Sequence, residues 1–319
     1  MNRLATLARQ LAPPDDSAHP PPHPPAPLFS GRVVVITGAA SGIGAACARR
    51  FAAHGAELVL ADLDAVALAA TAAQCRAIAA AAGCGGGGPP RTVTEVAPLD
   101  VTSPGAAAAL RAAVERAHGG RADALVNNAG YTLDRVLHRM PDASFQAMLD
   151  VHVAAPFRLI RDLAGPLMRD AGKREAAEGG GAGAATSRYI VNVSSTSGTH
   201  GNAGQANYAA AKAAVLGLTK TVAKEWGPWG VRCNAVAFGL IDTRLTRDRG
   251  DGAAIVVGGE TVALGVPGAA AVRGFVEAMA PLRRVGTADE AAGAVLFLAG
   301  DLASFVTGQC LEVDGGAHM

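Results

Sequence analysis

A chain of 319 residues, 50% of them hydrophobic, is long enough to bury one large α/β core. Its 28 basic and 27 acidic side chains leave a net charge of +1 with no basic cluster, which excludes nucleic acid or a charged membrane surface as the main partner. Five cysteines (Cys47, Cys75, Cys84, Cys233 and Cys310) form no C-x2-C pair, and no apolar run reaches the roughly 18 residues of a membrane span, so a disulfide framework, a zinc site and a membrane helix are excluded too.

Residues 1–29 do not read as fold. Met1 to Leu11 carries Arg3 and Arg9 without an acid, and residues 13–27 hold eight prolines, a composition that stays extended. The segment reads either as an organelle transit peptide with a linker or as an untargeted tail. The first places the protein in a mitochondrial or plastid matrix, the second in the cytoplasm. From residue 30 onward strands and helices alternate. The pattern predicts a strand at Arg32–Thr37, a helix at Gly42–His54, a strand at Glu57–Ala61 and a helix at Asp64–Ala82. After a glycine loop at 83–90 come a strand at Thr92–Ala97, a helix at Ser103–Ala117 and a strand at Ala122–Asn127. A long helix from about Pro141 to Asp170, a loop over 171–187, a strand at Tyr189–Ser194, a helix at Asn207–Trp226 and a strand at Val231–Val236 follow. An irregular stretch holds the apolar runs Ile255–Val257 and Val262–Leu264 around Gly258-Gly259, which suggest a small hairpin. A helix at Thr287–Ala299 and a strand at Gln309–Val313 close the chain. Such alternation predicts a single domain of α/β class, a doubly wound parallel sheet of Rossmann type with helices on both faces, binding ligands at the carboxyl ends of its strands.

Four stretches carry chemistry. Thr37-Gly38-Ala39-Ala40-Ser41-Gly42-Ile43-Gly44 joins the first strand to the first helix. Its glycines let the chain bend sharply and approach a pyrophosphate that the helix N-terminus faces. Asp62 ends the second strand, where a carboxylate can hold both adenosine ribose hydroxyls and repel a 2′-phosphate; it could equally cap the next helix, a role that Asp64 also fits. Asn127-Asn128-Ala129-Gly130 ends the fourth strand, and Ser195 ends the fifth. Tyr208 and Lys212 share one helical face, and a fixed positive charge one turn away draws a phenol down from its usual pKa of about 10.

In this order and spacing the four stretches strongly resemble the short-chain dehydrogenase/reductase family, over roughly Ser30 to Gly316. The resemblance implies that Tyr208 transfers the proton at the substrate oxygen, Lys212 binds the nicotinamide ribose, and Ser195 holds the carbonyl or hydroxyl. A fourth family member of this set is an asparagine in a pattern like D-V-N-x3-P-F. Here Asp150-Val151-His152 places His152 there, either ordering the same water or titrating as a relay between pH ~6 and ~8. The resemblance also implies cofactor contacts at Gly38, Ser41, Gly42, Ile43, Gly44, Asp62, Asp100, Val101, Asn128, Tyr208, Lys212 and Thr243. Phe238 stands where the family normally has proline. Basic residues that select NADP in the family are replaced by Ser41 and Leu63, so NAD(H) is favoured over NADP. The stretch from Gly201 to Tyr208 is similar to that of members reducing 3-oxoacyl thioesters on acyl-carrier-protein or coenzyme A, and histidine at the asparagine position also occurs in 3-hydroxyacyl-CoA dehydrogenases. The alternatives are another secondary alcohol (a steroid, sugar or polyol) and a non-catalytic nucleotide-sensing scaffold. The last strand and the two long helices imply a homotetramer, or at least a dimer.

Overall fold

The computed structural model describes residues 27–82, 91–178, 187–252, 254–257, 260–266 and 268–318. The tail up to residue 26, the glycine loop at 83–90, residues 179–186 of the predicted 171–187 loop and the tip of the hairpin at Gly258-Gly259 lie outside the described residues. Phe29, placed by composition at the end of the tail, is buried and packs edge-on to Phe51 with ring centroids 4.8 Å apart.

β1 (Val33–Thr37) leads to α1 (Gly42–Ala53), β2 (Glu57–Ala61) to α2 (Ala65–Ala82), and β3 (Val93–Val96) to α3 (Ala106–His118). β4 (Ala124–Asn127) is followed by a helical run, α4, from Asp142 to Ala177. β5 (Arg188–Ser195) precedes the short α5 (Thr196–His200) and α6 (Ala206–Trp226). After β6 (Val231–Phe238) come β7 (Ile241–Asp242), the hairpin β8 (Ala254–Val257) and β9 (Glu260–Ala263), and α7 (Ala269–Met279). β10 (Gly286–Thr287), α8 (Ala288–Leu298) and β11 (Cys310–Val313) complete the chain.

Seven strands form one parallel sheet in the order β11-β6-β5-β4-β1-β2-β3. β1 is buried along its whole length, as a strand covered on both faces must be. Its side chains alternate: Val34 and Ile36 join the core under α1, α2 and α8, whereas Val33 and Val35 join the core under α3, α4 and α6. Because β1 pairs with β2 on one side and β4 on the other, the chain winds away from it in both directions. A crevice therefore opens at the carboxyl ends of β1 and β4.

Three elements differ from their predicted form. The helix after residue 141 does not stop at Asp170 but runs to Ala177. Gly172 lets it pass the backbone of Trp229, where a Cβ would come within 2.0 Å of the carbonyl oxygen, and Glu175 pairs with Arg188 of β5. The run also contains two π-helical segments, Asp150–Ala154 and Ile160–Arg169, the second around Pro166. α3 starts at Ala106, because Asp100, Thr102 and Ser103 form a turn of their own before it. α7 is a helix within the stretch predicted as irregular. Val272, Phe275, Val276 and Met279 keep helical spacing along one face, a signal the sequence carries.

Candidate active site

The crevice continues into a cavity of about 890 Å³. At one end the first βα turn supplies its floor. Gly38 and Gly42 have φ of +68° and +55°, the left-handed region that glycine tolerates. Gly38, Ser41, Gly42 and Ile43 line the cavity; Gly44 does not. It packs beneath the turn, where a Cβ would lie 2.0 Å from the Gly38 carbonyl oxygen. The Asn128 side-chain amide donates to the carbonyls of Thr37 (3.0 Å) and Gly38 (3.1 Å), so this residue pins the turn to the end of β4. Asn127 donates to Asn192 Oδ1 at 2.8 Å, tying β4 to β5.

Asp62 closes β2 beside this turn. Its Oδ2 accepts from the Ala40 amide (2.9 Å) and its Oδ1 from the Asp64 amide (3.1 Å), which orients the carboxylate at the cavity wall. Capping of α2 falls to Asp64, whose Oδ1 accepts from the Ala67 amide. Asp100 and Val101 also line the cavity, with Asp100 Oδ1 accepting from the amide and hydroxyl of Thr102 at 2.8 and 2.7 Å. Thr243 stands over Gly42: a Cβ on that glycine would lie 3.5 Å from the Thr243 methyl group. A dinucleotide fits these residues, since Gly38 and Gly42 bring backbone without a side chain to the cavity wall and α1 begins there with no acid in its first turn.

At the other end the structure brings Ser195, Tyr208, Lys212 and His152 together on the cavity wall. Ser195 sits where β5 gives way to α5, and its Oγ accepts from the Ser197 amide at 3.1 Å. Its hydroxyl also acts on the Tyr208 phenol, opposing the rise in that group's pKa. Lys212, one turn beyond Tyr208 in α6, donates from Nζ to the Val193 carbonyl at 2.7 Å, with Nζ 5.6 Å from the centre of the Tyr208 ring. His152 lies in the first π-helical segment, its ring edge-on to Tyr208 at 5.1 Å. Its Nε2 is 2.8 Å from the Tyr131 carbonyl oxygen, so that nitrogen carries the proton and donates; Nδ1 is left as a buried acceptor with no partner among the described residues. Gly130 makes room for the ring, since a Cβ there would lie 2.2 Å from Cε1. Phe238 is buried at the end of β6, and its carbonyl accepts from the hydroxyls of Ser195 and Thr196.

Burial governs the charges here, and it bears on two expectations. The Tyr208 phenol is not drawn down by Lys212 but pushed up to about 12 by burial, an effect that the Ser195 hydroxyl only partly opposes. Lys212 is itself pushed down to about 7 by burial, with no carboxylate paired to it among the described residues. His152 is held well below 6.5, first by burial and then by the charge of Lys212, which favours the neutral ring that orders a water over the titrating relay. Two charged residues on the wall were missed by reading the sequence. Asp134 accepts from Gln205 Nε2 at 3.1 Å, and Arg244 donates from Nη2 to Ser41 Oγ at 2.6 Å.

Comparison with known proteins supplies the family. Residues 38–318 match a family model described as Enoyl-(Acyl carrier protein) reductase. The chain is 34% identical over 293 residues to a 3-oxoacyl-acyl-carrier-protein reductase of Escherichia coli (strain K12), covering 91% of this chain and 99% of that protein. This is a short-chain dehydrogenase/reductase. The family member of the same name from Thermotoga maritima is 35% identical over 288 residues, covering 90% of this chain and 98% of its own. Among solved structures, levodione reductase superposes with a TM-score of 0.73 at 30% identity, covering 90% of this chain and 98% of that one. The L-sorbose reductase of Gluconobacter frateurii, solved with NADPH and L-sorbose, superposes with a TM-score of 0.74 at 28% identity, covering 92% and 98%. The chain is thus an oxidoreductase of a family that uses a nicotinamide cofactor on keto and hydroxyl groups. Among the described residues no helix is long and apolar enough to cross a membrane.

The unpaired Lys212 generates a test in the cofactor-free enzyme. Its folded pKa of about 7 lies below the ordinary 10.5. Between those values the unfolded chain holds one more proton than the folded one, so this lysine costs stability in full below pH 7 and progressively less as pH rises to 10.5. Lys212→Met is expected to raise the unfolding free energy near pH 6.5 by about 1–4 kcal/mol. The gain should shrink at alkaline pH, as urea unfolding at the two pH values would show; a gain that is absent or grows with pH contradicts an uncompensated ammonium.

Proposed function

We propose that this enzyme transfers a hydride between NAD(H) and the 3-position of a 3-oxoacyl or 3-hydroxyacyl thioester. The observation that carries the substrate class is the apolar wall leading to the Ser195–Tyr208 hydroxyl pair. Val272, Phe275 and Met279 of α7, Ile255 of the hairpin and Leu264 all line the cavity, a surface suited to an acyl chain. Similarity to the 3-oxoacyl-acyl-carrier-protein reductases supports the same substrate. A second reading, a sugar or polyol, is favoured by Asp134, Gln205 and Asn202 on the polar side of the same cavity and by the likeness to L-sorbose reductase.

In this reading Ser195 donates to the substrate oxygen and Tyr208 completes its protonation. The neutral phenol enforced by burial is the form needed for reduction at neutral pH. Oxidation needs the phenolate, so it speeds up with pH. Lys212 holds the nicotinamide ribose, and Thr243 the carboxamide end. The glycine turn holds the diphosphate, and Asp62 and Asp100 hold the adenosine part. When bound, the cofactor supplies or accepts the hydride; the protein supplies position and the proton path. His152, neutral and with a fixed tautomer, offers Nδ1 to a water beside Lys212. The preference for NAD(H) rests on Asp62, a carboxylate held by two backbone amides at the end of β2 that would repel the additional phosphate of NADP. Assembly into a dimer or tetramer would cover exposed apolar side chains around the last strand, among them Leu302, Phe305 and Leu311.

Three measurements test the proposal. With purified enzyme and an acetoacetyl thioester, kcat/KM for NADH should exceed that for NADPH by at least ~10-fold, about 1.4 kcal/mol, and Asp62→Ala should narrow the gap; a panel of ketones, ketoses included, decides between the two substrate readings. Tyr208→Phe should lower turnover by ~100-fold or more while NADH still binds, whereas His152→Asn should leave the shape of the pH–rate profile between pH 6 and 8 unchanged. Light scattering at micromolar concentration should give the mass of a dimer or tetramer, and a monomer would refute the assembly.

A further inference from the structure

The cavity is poor in positive charge. Among the described residues five carboxylates line it (Asp62, Asp64, Asp100, Asp134 and Asp314), against two lysine or arginine side chains, Lys212 and Arg244. Lys212 is committed at the substrate end, between the Val193 carbonyl and the Tyr208 ring. Arg244 stands at the opposite end. It follows Thr243 in the loop after β7, and its Nη2 donates 2.6 Å to Oγ of Ser41, a residue 203 positions away that precedes α1. Its Nε is buried with no partner, and it makes no ion pair with a described carboxylate, whereas the nearby Arg247 is paired with Asp242 at 3.0 Å. A half-buried guanidinium with a donor unspent, on the wall of a cavity, is placed to pair with an anion that enters it.

We propose that Arg244 is a cofactor-binding residue that clamps the diphosphate of the dinucleotide across from the N-terminus of α1, with Ser41 holding the guanidinium ready. The inference rests on the dinucleotide reading of the cavity. Arg244 brings a cation to Ser41 from a distant part of the chain. Its target is the charge shared by NAD and NADP, so Arg244 strengthens both alike and leaves the choice between them to Asp62. The diphosphate is favoured over a 2′-phosphate because Arg244 reaches the turn beside Gly42 and Thr243, while the carboxylate of Asp62 opposes a further anion at the end of β2.

The test is equilibrium binding of NADH, NADPH and ADP-ribose to the full-length protein, by fluorescence and calorimetry, at low and high salt. Arg244→Met should weaken all three by a common factor of about 10 or more. It should also flatten the salt dependence of binding. Arg244→Lys, which keeps the charge but not the planar fork, should retain that salt dependence and recover part of the affinity. Thermal midpoints measured alongside identify any loss of fold, to which the Arg244→Lys comparison is insensitive. Weakening confined to NADPH would assign Arg244 to the 2′-phosphate and overturn the clamp. Unchanged binding in Arg244→Met would reduce the arginine to a brace for Ser41 and overturn it equally. A wild-type protein that bound none of the three would instead remove the dinucleotide reading itself.

Discussion

The side-chain amide of Asn128 holds together the place on which the rest of the site depends. A parallel sheet whose chain winds outward from β1 leaves the ends of β1 and β4 without a connection between them. Asn128 bridges that gap, giving its amide hydrogens to the Thr37 and Gly38 carbonyls, while the Thr37 hydroxyl accepts from the backbone of Asn128 and Ala129 at 3.2 Å each. These carbonyls would otherwise be buried acceptors at a turn made of left-handed glycines, a costly combination. Held this way, the turn is a fixed floor against which Asp62, Thr243 and Arg244 are each set by a contact of their own.

The reacting end is built on the opposite principle, for its groups are kept in unfavourable states. A lysine without a carboxylate, a phenol shifted upward and an imidazole with an orphaned nitrogen lie within one cluster. The apolar core beside them, with Met148, Val151, Ala155 and Ala211, supplies the low dielectric that shifts them all. Perturbed groups of this kind concentrate where a site trades stability for reactivity.

Much of this was legible in the sequence, and the reasons differ by element. Strand β1 declares itself as a nearly uninterrupted apolar run because both faces of the sheet are covered, whereas the apolar runs of β5 and β6 are broken by Asn192 and by Arg232 and Asn234. Ser195, Tyr208 and Lys212 could be placed because their spacing maps directly onto a strand end and one helical face. The end of α4 could not, since residues 171–177 are rich in small residues whose helical state depends on Trp229 and Arg188 far along the chain. Nor do the π-helical turns around His152 leave a periodic trace. Arg244 was invisible for a plainer reason: its contact with Ser41 exists only in three dimensions. The direction of the Tyr208 shift was misjudged because a helical wheel shows a neighbouring charge but not the burial that outweighs it.

Helix α7 has no buried residue, although its apolar face forms one wall of the cavity. The wall is therefore attached to the molecule rather than woven into it, whereas the floor at β1, β4 and β5 is the core itself. Substitutions in a segment so lightly packed cost the fold little, and those in the sheet cost it heavily. The two halves of the cavity are thus open to change at very different rates. The face of α7 that carries Val272, Phe275, Val276 and Met279 is the part of the cavity where change costs least, while the nucleotide half is held by the core.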